Sequence, residues 1–274
     1  MKSRLAAKEV KILIREDYAW LTETYISHRG LFDNLSVPEN SLPAFERAAE
    51  NRFAIETDVQ STKDGVLVVF HDDTLERMTG HKGKLCDMTF EQLRTLRLLD
   101  TQCVIPTFDE FLKAADGVNI VVEIKTHENI GETESKVYAA LQNYKGNFCV
   151  ESFNPFIVRW FKVHAPEVIC GQLSCSFKGA FKGIKRWLLA ELKFCRWNGS
   201  RFIAYDAATI ATCKAVKRYA KKMPIICWTV KSAQQQQDLR QYFDNMIFDS
   251  YLPDRDDLRK MAGEPCLYSS DKEN

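Results

Sequence analysis

Between residues 25 and 249 the chain repeats one alternation: a short apolar run rich in β-branched residues, then a segment whose apolar positions recur at helical spacing. The runs fall at Tyr25-Ile26-Ser27, at Ala54-Ile55-Glu56-Thr57-Asp58-Val59-Gln60, and at 118–125, 147–153, 168–173, 201–205, 224–230 and 245–249. Strands that alternate with helices build a parallel sheet, and eight of them argue for closure into a barrel. The expected fold class is therefore α/β, a (β/α)8 TIM barrel. Helices are expected after Ser41 and at 89–99, 107–115, 131–145, 155–164, 177–197, 206–221 and 232–242, with Thr107 as a cap. Residues 5–24 carry Val10, Leu13, Ile14, Trp20 and Leu21 at helical spacing among charges, which predicts an N-terminal helix packed beneath the barrel. The domain organisation that follows is a helical extension over 1–24, a barrel domain over 25–255 and a C-terminal tail over 256–274.

One feature departs from the simple repeat. After the second strand comes a Lys63-Asp64-Gly65 turn and then the apolar run Val66-Leu67-Val68-Val69-Phe70. A parallel crossover needs about a dozen residues or more, so these two strands must form a hairpin. A two-residue primed turn at Asp64-Gly65 pairs Val59 with Phe70 and Asp58 with His71, and a longer bulged loop slips that pairing by one. Either register returns His71 beside Glu56 and Asp58, which the alternation of the second strand sends to one face.

The polar residues of these strands converge. On a barrel, His28, Glu56, Asp58, Glu123 and Lys125 all sit at carboxyl-side strand ends, where this architecture builds its sites. Three carboxylates gathered at one rim repel one another unless positive charge sits among them. A hard divalent cation, Mg2+ or Ca2+, supplies that charge with all-oxygen ligation; a salt-bridged layer with Arg29 and Lys125 supplies it too. His28 and His71 titrate near neutral pH, so one can take a proton while the other gives one, although a lone strand-end histidine is more often structural.

Composition narrows the partners. A net charge of +1 and a pI near 7.5 provide no global field for nucleic acid or for an acidic membrane. No apolar run reaches the ~18 residues of a transmembrane segment, and residues 1–16 lack the apolar core of a secretory signal. The nine cysteines include no Cys-x-x-Cys pair and mostly sit among apolar neighbours, which predicts reduced thiols and a cytoplasmic location.

The motifs resemble those of the glycerophosphodiester phosphodiesterases. The family pattern is matched by His28-Arg29-Gly30, Glu39-Asn40, Glu56-Thr57-Asp58, Thr62-Lys63-Asp64-Gly65 and His71-Asp72 with Leu75 and Arg77. Later landmarks follow in order: Ile105-Pro106-Thr107-Phe108, Glu123-Ile124-Lys125, Ser152-Phe153-Asn154 and Trp228-Thr229-Val230. The resemblance covers roughly residues 25 to 255 and implies the same (β/α)8 barrel. It implies one divalent cation on Glu56, Asp58 and Glu123, and His28 and His71 as the acid–base pair flanking phosphorus. Arg29 and Lys125 are then expected on the phosphate oxygens, and Trp228 as an aromatic wall for glycerol. The implied activity releases glycerol 3-phosphate and an alcohol from small glycerophosphodiesters. Related phospholipases suggest lysophospholipids as an alternative substrate, and a non-catalytic phosphate-binding barrel is the remaining one. One departure stands out: the family's Trp-Thr-Val motif usually ends in Asn, and here Lys231 follows.

Residues 177–197 carry Phe177, Phe181, Ile184, Leu188, Leu192 and Cys195 at helical spacing, with Lys178, Lys182, Lys185, Arg186, Lys193 and Arg196 between them. As one helix this segment spans about 30 Å. Two readings stand: a barrel helix whose lysines are solvated, or a segment whose first turns make weak peripheral contact with an anionic membrane or roof the substrate mouth.

Overall fold

The computed structural model describes residues 19–126 and 129–254. The extension expected over 1–24 lies outside the described residues apart from its last turn, a 3-10 helix Ala19–Thr22 with buried Leu21. The expected tail over 256–274 lies outside them altogether. The fold is a (β/α)8 barrel with one antiparallel return strand, and its described residues fall into two compact units.

The first unit, residues 26–168, contains β1 (Ile26–His28), β2 (Ala54–Ser61), β3 (Leu67–Val69), β4 (Ile120–Ile124) and β5 (Phe148–Ser152). β2 lies between β1 and β4, parallel to both, with His28 opposite Glu56 and Asp58 opposite Glu123. β4 then pairs in parallel with β5, which sets Glu123 opposite Glu151. The helices Leu42–Glu50 and Phe108–Ala114 cover this sheet with Ala44, Phe45, Ala48, Phe108 and Phe111, and the Phe45 and Phe111 rings meet edge-on at 4.6 Å. Covered on both faces, β4 reads as a continuous apolar run interrupted only where a charged side chain is needed. Thr107 caps the second helix as expected, in a reciprocal box with Glu110.

The second unit holds β6 (Ile169–Ser174), β7 (Phe202–Asp206), β8 (Ile225–Val230) and β9 (Asn245–Phe248), all parallel. The segment before β1 belongs to it: Asn245 Nδ2 donates to the carbonyls of Leu21 and Thr24 at 2.7 and 2.9 Å, and Gln236 Nε2 donates to the Tyr25 hydroxyl at 2.8 Å.

One open register is decided and three helices need correction, the one expected over 206–221 being a 3-10 turn Ile210–Thr212 and a separate helix Lys214–Tyr219. The hairpin pairs Val59 with Val69, one residue away from the two-residue-turn register. Its loop is a residue longer: Thr62 N donates to Val66 O and Gly65 N to Thr62 O, with Gly65 at φ +77. This is the bulged arrangement, and it puts Phe70 opposite Asp58. The helix expected over 89–99 is helical only at Phe90–Leu93. Leu93 and Leu98 instead join Val68, Phe70, Leu75, Met78, Leu85 and Ile105 in a separate small core behind the hairpin. The continuous helix expected over 177–197 is two helices, Gly183–Ala190 and Cys195–Asn198. Left-handed backbone at Phe177, Gly179 and Leu192 interrupts it, and Phe177 is buried.

Gly30, two residues past the end of β1, has φ +85, and a Cβ there would lie 2.7 Å from the Ala44 carbonyl carbon. Gly80 has a similar φ of +69 with nothing near its missing Cβ. Gly80→Ala should therefore cost only the left-handed strain, about 1–2 kcal/mol. Gly30→Ala should add overpacking of about 1–3 kcal/mol. Urea unfolding of the two variants measures the difference directly, and equal losses would refute the steric account of Gly30.

Candidate active site

The site grows from the row set by strand register. Glu56 and Asp58 leave one face of β2, and Glu123 stands beside Asp58 on β4. One oxygen from each of the three lies within 4.8 Å of the others. Their exposures are 3%, 1% and 7%, so water does little to screen their charges.

Two side-chain cations answer them among the described residues. Lys125 Nζ lies 3.2 Å from Asp58 and 3.3 Å from Glu123, and Arg29 Nε lies 3.3 Å from Asp58. Asp58 also accepts from Asn40 Nδ2 at 2.9 Å, and Glu56 accepts from the Arg29 backbone N–H at 3.1 Å. Burial works against the Asp58 charge, but Lys125, Arg29 and His71 outweigh it and hold the carboxyl well below its ordinary range. The other two acids are not so served. Burial, together with Asp58, pushes Glu123 up to about 7 despite Lys125. Burial and Asp58 likewise raise Glu56 well above its ordinary value. Salt bridges are present, as one of the two sequence readings expected, yet they do not supply enough positive charge to keep Glu56 and Glu123 in their ordinary ionised range.

A chain of alternating charges ties the hairpin to this row. His71 Nδ1 lies 2.5 Å from Asp72, which meets Arg77 at 2.6 Å; Arg77 meets Glu39 at 2.7 Å; and Glu39 meets Arg29 at 2.6 Å. An ionised carboxylate only accepts, so Nδ1 of His71 carries the hydrogen and Nε2 is left as the titrating atom. Burial holds the His71 pKa below the histidine range, with Lys125 and Arg29 acting the same way against Asp58. The return strand is pinned independently, since Gln60 Nε2 donates to the carbonyls of Phe70 at 2.7 Å and Asp72 at 3.0 Å. His28, half-buried at the end of β1, stands in register with Glu56.

Of the eight side chains singled out in the sequence, seven belong to this one unit and Trp228 belongs to the other, half-buried on β8. Lys231 immediately precedes Ser232, the N-cap of helix Ala233–Leu239. Its exposed side chain reaches Asp249 at 3.8 Å.

Five participants carried no assigned role in the sequence: Glu39, Asn40, Asp72, Arg77 and Glu151. The first four sat inside the motifs, and only the folded chain shows what they bond. Glu151 had a legible signal, a charged residue within the apolar run of β5. Burial, with Glu123 and Asp58 nearby, pushes its carboxyl well above the ordinary value.

Residues 28–174 match the Glycerophosphoryl diester phosphodiesterase family. The chain is 33% identical over 262 residues to the glycerophosphodiester phosphodiesterase 1 of Homo sapiens, covering 84% of this chain and 77% of that one. A phosphodiesterase of Oleispira antarctica, solved in complex with the product sn-glycerol-3-phosphate, has the same fold with TM-score 0.73 and 20% identity, over 90% of this chain and 99% of that one. A glycerophosphodiester phosphodiesterase of Thermotoga maritima matches with TM-score 0.64 and 24% identity, over 83% and 94% of the two chains.

Burial opposes the charges of Glu39 and Asp72, but the Arg77 bonds, helped by Arg29 at Glu39 and His71 at Asp72, outweigh it and bring both carboxyls down to about 2. Groups with depressed folded pKa values stabilise the fold above their unfolded values, and that contribution is lost as pH falls through the folded values. Stability should therefore decline as pH drops from about 4.5 to about 2. Glu39→Gln should be less stable at neutral pH by roughly 2–3 kcal/mol and should converge on the wild type near the bottom of that window. Denaturant midpoints measured across it check this, and a gap that stays constant down to pH 2 would refute it.

Proposed function

The chain belongs to the glycerophosphoryl diester phosphodiesterase family and is a phosphodiesterase of glycerophosphodiesters; from that premise we propose that its reaction depends on one divalent cation and on acid–base catalysis by His28 and His71. The observation that carries the proposal is the buried row of Glu56, Asp58 and Glu123, whose negative charge Arg29 and Lys125 only partly balance. A set of carboxylate oxygens suits a hard ion, Mg2+ or Ca2+. When bound to these three acids, that ion supplies positive charge for the phosphodiester oxygens and for the charge that develops in the transition state.

The protein's own groups do the rest. Arg29 and Lys125 complete the positive lining for the phosphate oxygens. His71, kept neutral near pH 7 and held by Asp72 through Nδ1, accepts at Nε2 a proton of the water that attacks phosphorus. His28 protonates the departing alcohol oxygen. The products are glycerol 3-phosphate and the head-group alcohol.

An open cavity of about 600 Å³ beside Lys125 bears on the substrate. Its lining includes Thr62, Lys63, Asp64, Asp73 and Lys84, with no aromatic or large aliphatic side chain. Such a lining suits a polar head group. Among the described residues eight cysteines are free and five of them are buried, which supports a reducing, cytoplasmic location.

A second surface favours weak peripheral membrane contact. No helix among the described residues is long and apolar enough to cross a membrane. Ile184 and Trp187 are nevertheless 74% and 51% exposed on helix Gly183–Ala190, flanked by Lys182, Lys185 and Arg186. Lys185 lies 4.2 Å from the Phe181 ring and Lys193 4.5 Å from the Trp187 ring, so cations and apolar groups share one surface suited to anionic lipid.

Hydrolysis of glycerophosphocholine should vanish after exhaustive EDTA treatment and return with Mg2+ or Ca2+; full activity after chelation would sink the cation requirement. His28→Ala and His71→Ala should each lower kcat by roughly 10²–10⁴-fold with the fold intact by circular dichroism. Near-full turnover in either variant would remove that histidine from the chemistry. The protein should sediment with anionic vesicles and less so with neutral ones, and equal negligible binding to both would exclude the membrane.

A further inference from the structure

Glu151 takes no part in the steps above. On β5 it stands opposite Glu123, which stands opposite Asp58, so the three acids form one row across β2, β4 and β5. Side chains at matching positions of neighbouring parallel strands leave the same face about 4.8 Å apart. The electrostatic neighbours that act on Glu151 include Glu123 and Asp58, both of its own sign. No Lys, Arg or His forms an ion pair with it among the described residues. Glu151 is 2% exposed, and its Oε2 is fully buried without a hydrogen-bond partner.

Buried polar atoms are nearly always partnered, and one that is not calls for a specific explanation. Valine or isoleucine would fill a position on this strand without leaving any polar atom to satisfy. The chain thus keeps, at the edge of its acidic triad, an acceptor that its own donors do not satisfy. Cations held by carboxylates, Mg2+ above all, retain water molecules whose hydrogens need acceptors. Glu151 is not among the three residues whose oxygens lie within 4.8 Å of one another, which sets it one step outside the triad.

We propose that Glu151 is an outer carboxylate of the cation site, accepting a hydrogen bond from a water molecule held on the ion by Glu56, Asp58 and Glu123. It is a positioning residue, acting on the substrate only through the ion, and the inference rests on the cation-dependent reading given above. Its role is to orient that water and to strengthen ion binding from the β5 side, as outer partners of metal sites do.

Two measurements on the purified protein test this. Titration calorimetry with Mg2+ and with Ca2+ should show binding to the wild type, weakened by about 10–100-fold in Glu151→Gln and in Glu151→Leu. Thermal melts without cation should show both variants at least as stable as the wild type, since each removes a buried carboxyl that stands beside two acids of its own sign. A residue that merely braces the barrel would behave in the opposite way, lowering the cation-free melting temperature and leaving ion affinity unchanged. Ion binding as tight in both variants as in the wild type overturns the role of Glu151 while leaving the triad's role intact. A wild type that binds neither ion overturns the cation reading itself, and this inference with it. Glu151→Gln matches the native side chain in size, so it keeps the test decisive if the leucine variant fails to fold.

Discussion

The buried row of carboxyls on β2 and β4 is the constraint to which the rest of the described site answers. Coulomb repulsion among Glu56, Asp58 and Glu123 is strong where water is excluded. Lys125 rises from the end of β4 to meet Asp58 and Glu123, and Arg29 takes up left-handed backbone and meets Asp58 as well. Asn40, also left-handed, turns its amide to the same carboxylate. These local costs are offset by charge neutralisation at Asp58. Glu56 and Glu123, whose carboxyls the protein's own cations do not hold ionised, are the oxygens that suit the site to a divalent ion.

The second histidine depends on the same balance. His71 lies beyond the return strand of the hairpin, and the run of contacts from Asp72 through Arg77 and Glu39 to Arg29 joins it to the acid row. Each carboxylate in that run has a guanidinium neighbour, so it stays ionised and geometrically fixed. Fixing Asp72 fixes the tautomer of His71. The Gln60 amide holds the same backbone from the strand side. The proton-transfer role proposed for His71 Nε2 thus draws on residues that are far apart in sequence.

The segments that departed from expectation share a physical origin. Periodicity reports which residues avoid water, and it does not report what they pack against. Leu93 and Leu98 satisfy their burial in the small core behind the hairpin, so that stretch has no need of a long helix. In 177–197 the apolar spacing suits a helix throughout, yet left-handed backbone at Phe177, Gly179 and Leu192 divides it and leaves Ile184 and Trp187 outside. The hairpin register turned on a single residue of loop length, set by where Gly65 could take a positive φ.

The sequence by itself determined the strand and helix alternation, the eight-stranded class, the hairpin and the three acids that gather at one rim. Each of these is written in local chemistry: period-two alternation, turn residues, and polar residues placed at the ends of apolar runs. Only the tertiary structure decided that Asp58, Glu123 and Glu151 share one row, because register between strands distant in the chain depends on how whole layers pack. It also decided which acid keeps its charge, since that depends on distances to Lys125 and Arg29 and on burial, neither of which a linear pattern encodes. The same holds for the Asp72–Arg77–Glu39 connection, whose members are legible as a motif but whose bonds form only when the hairpin folds back over the strand ends.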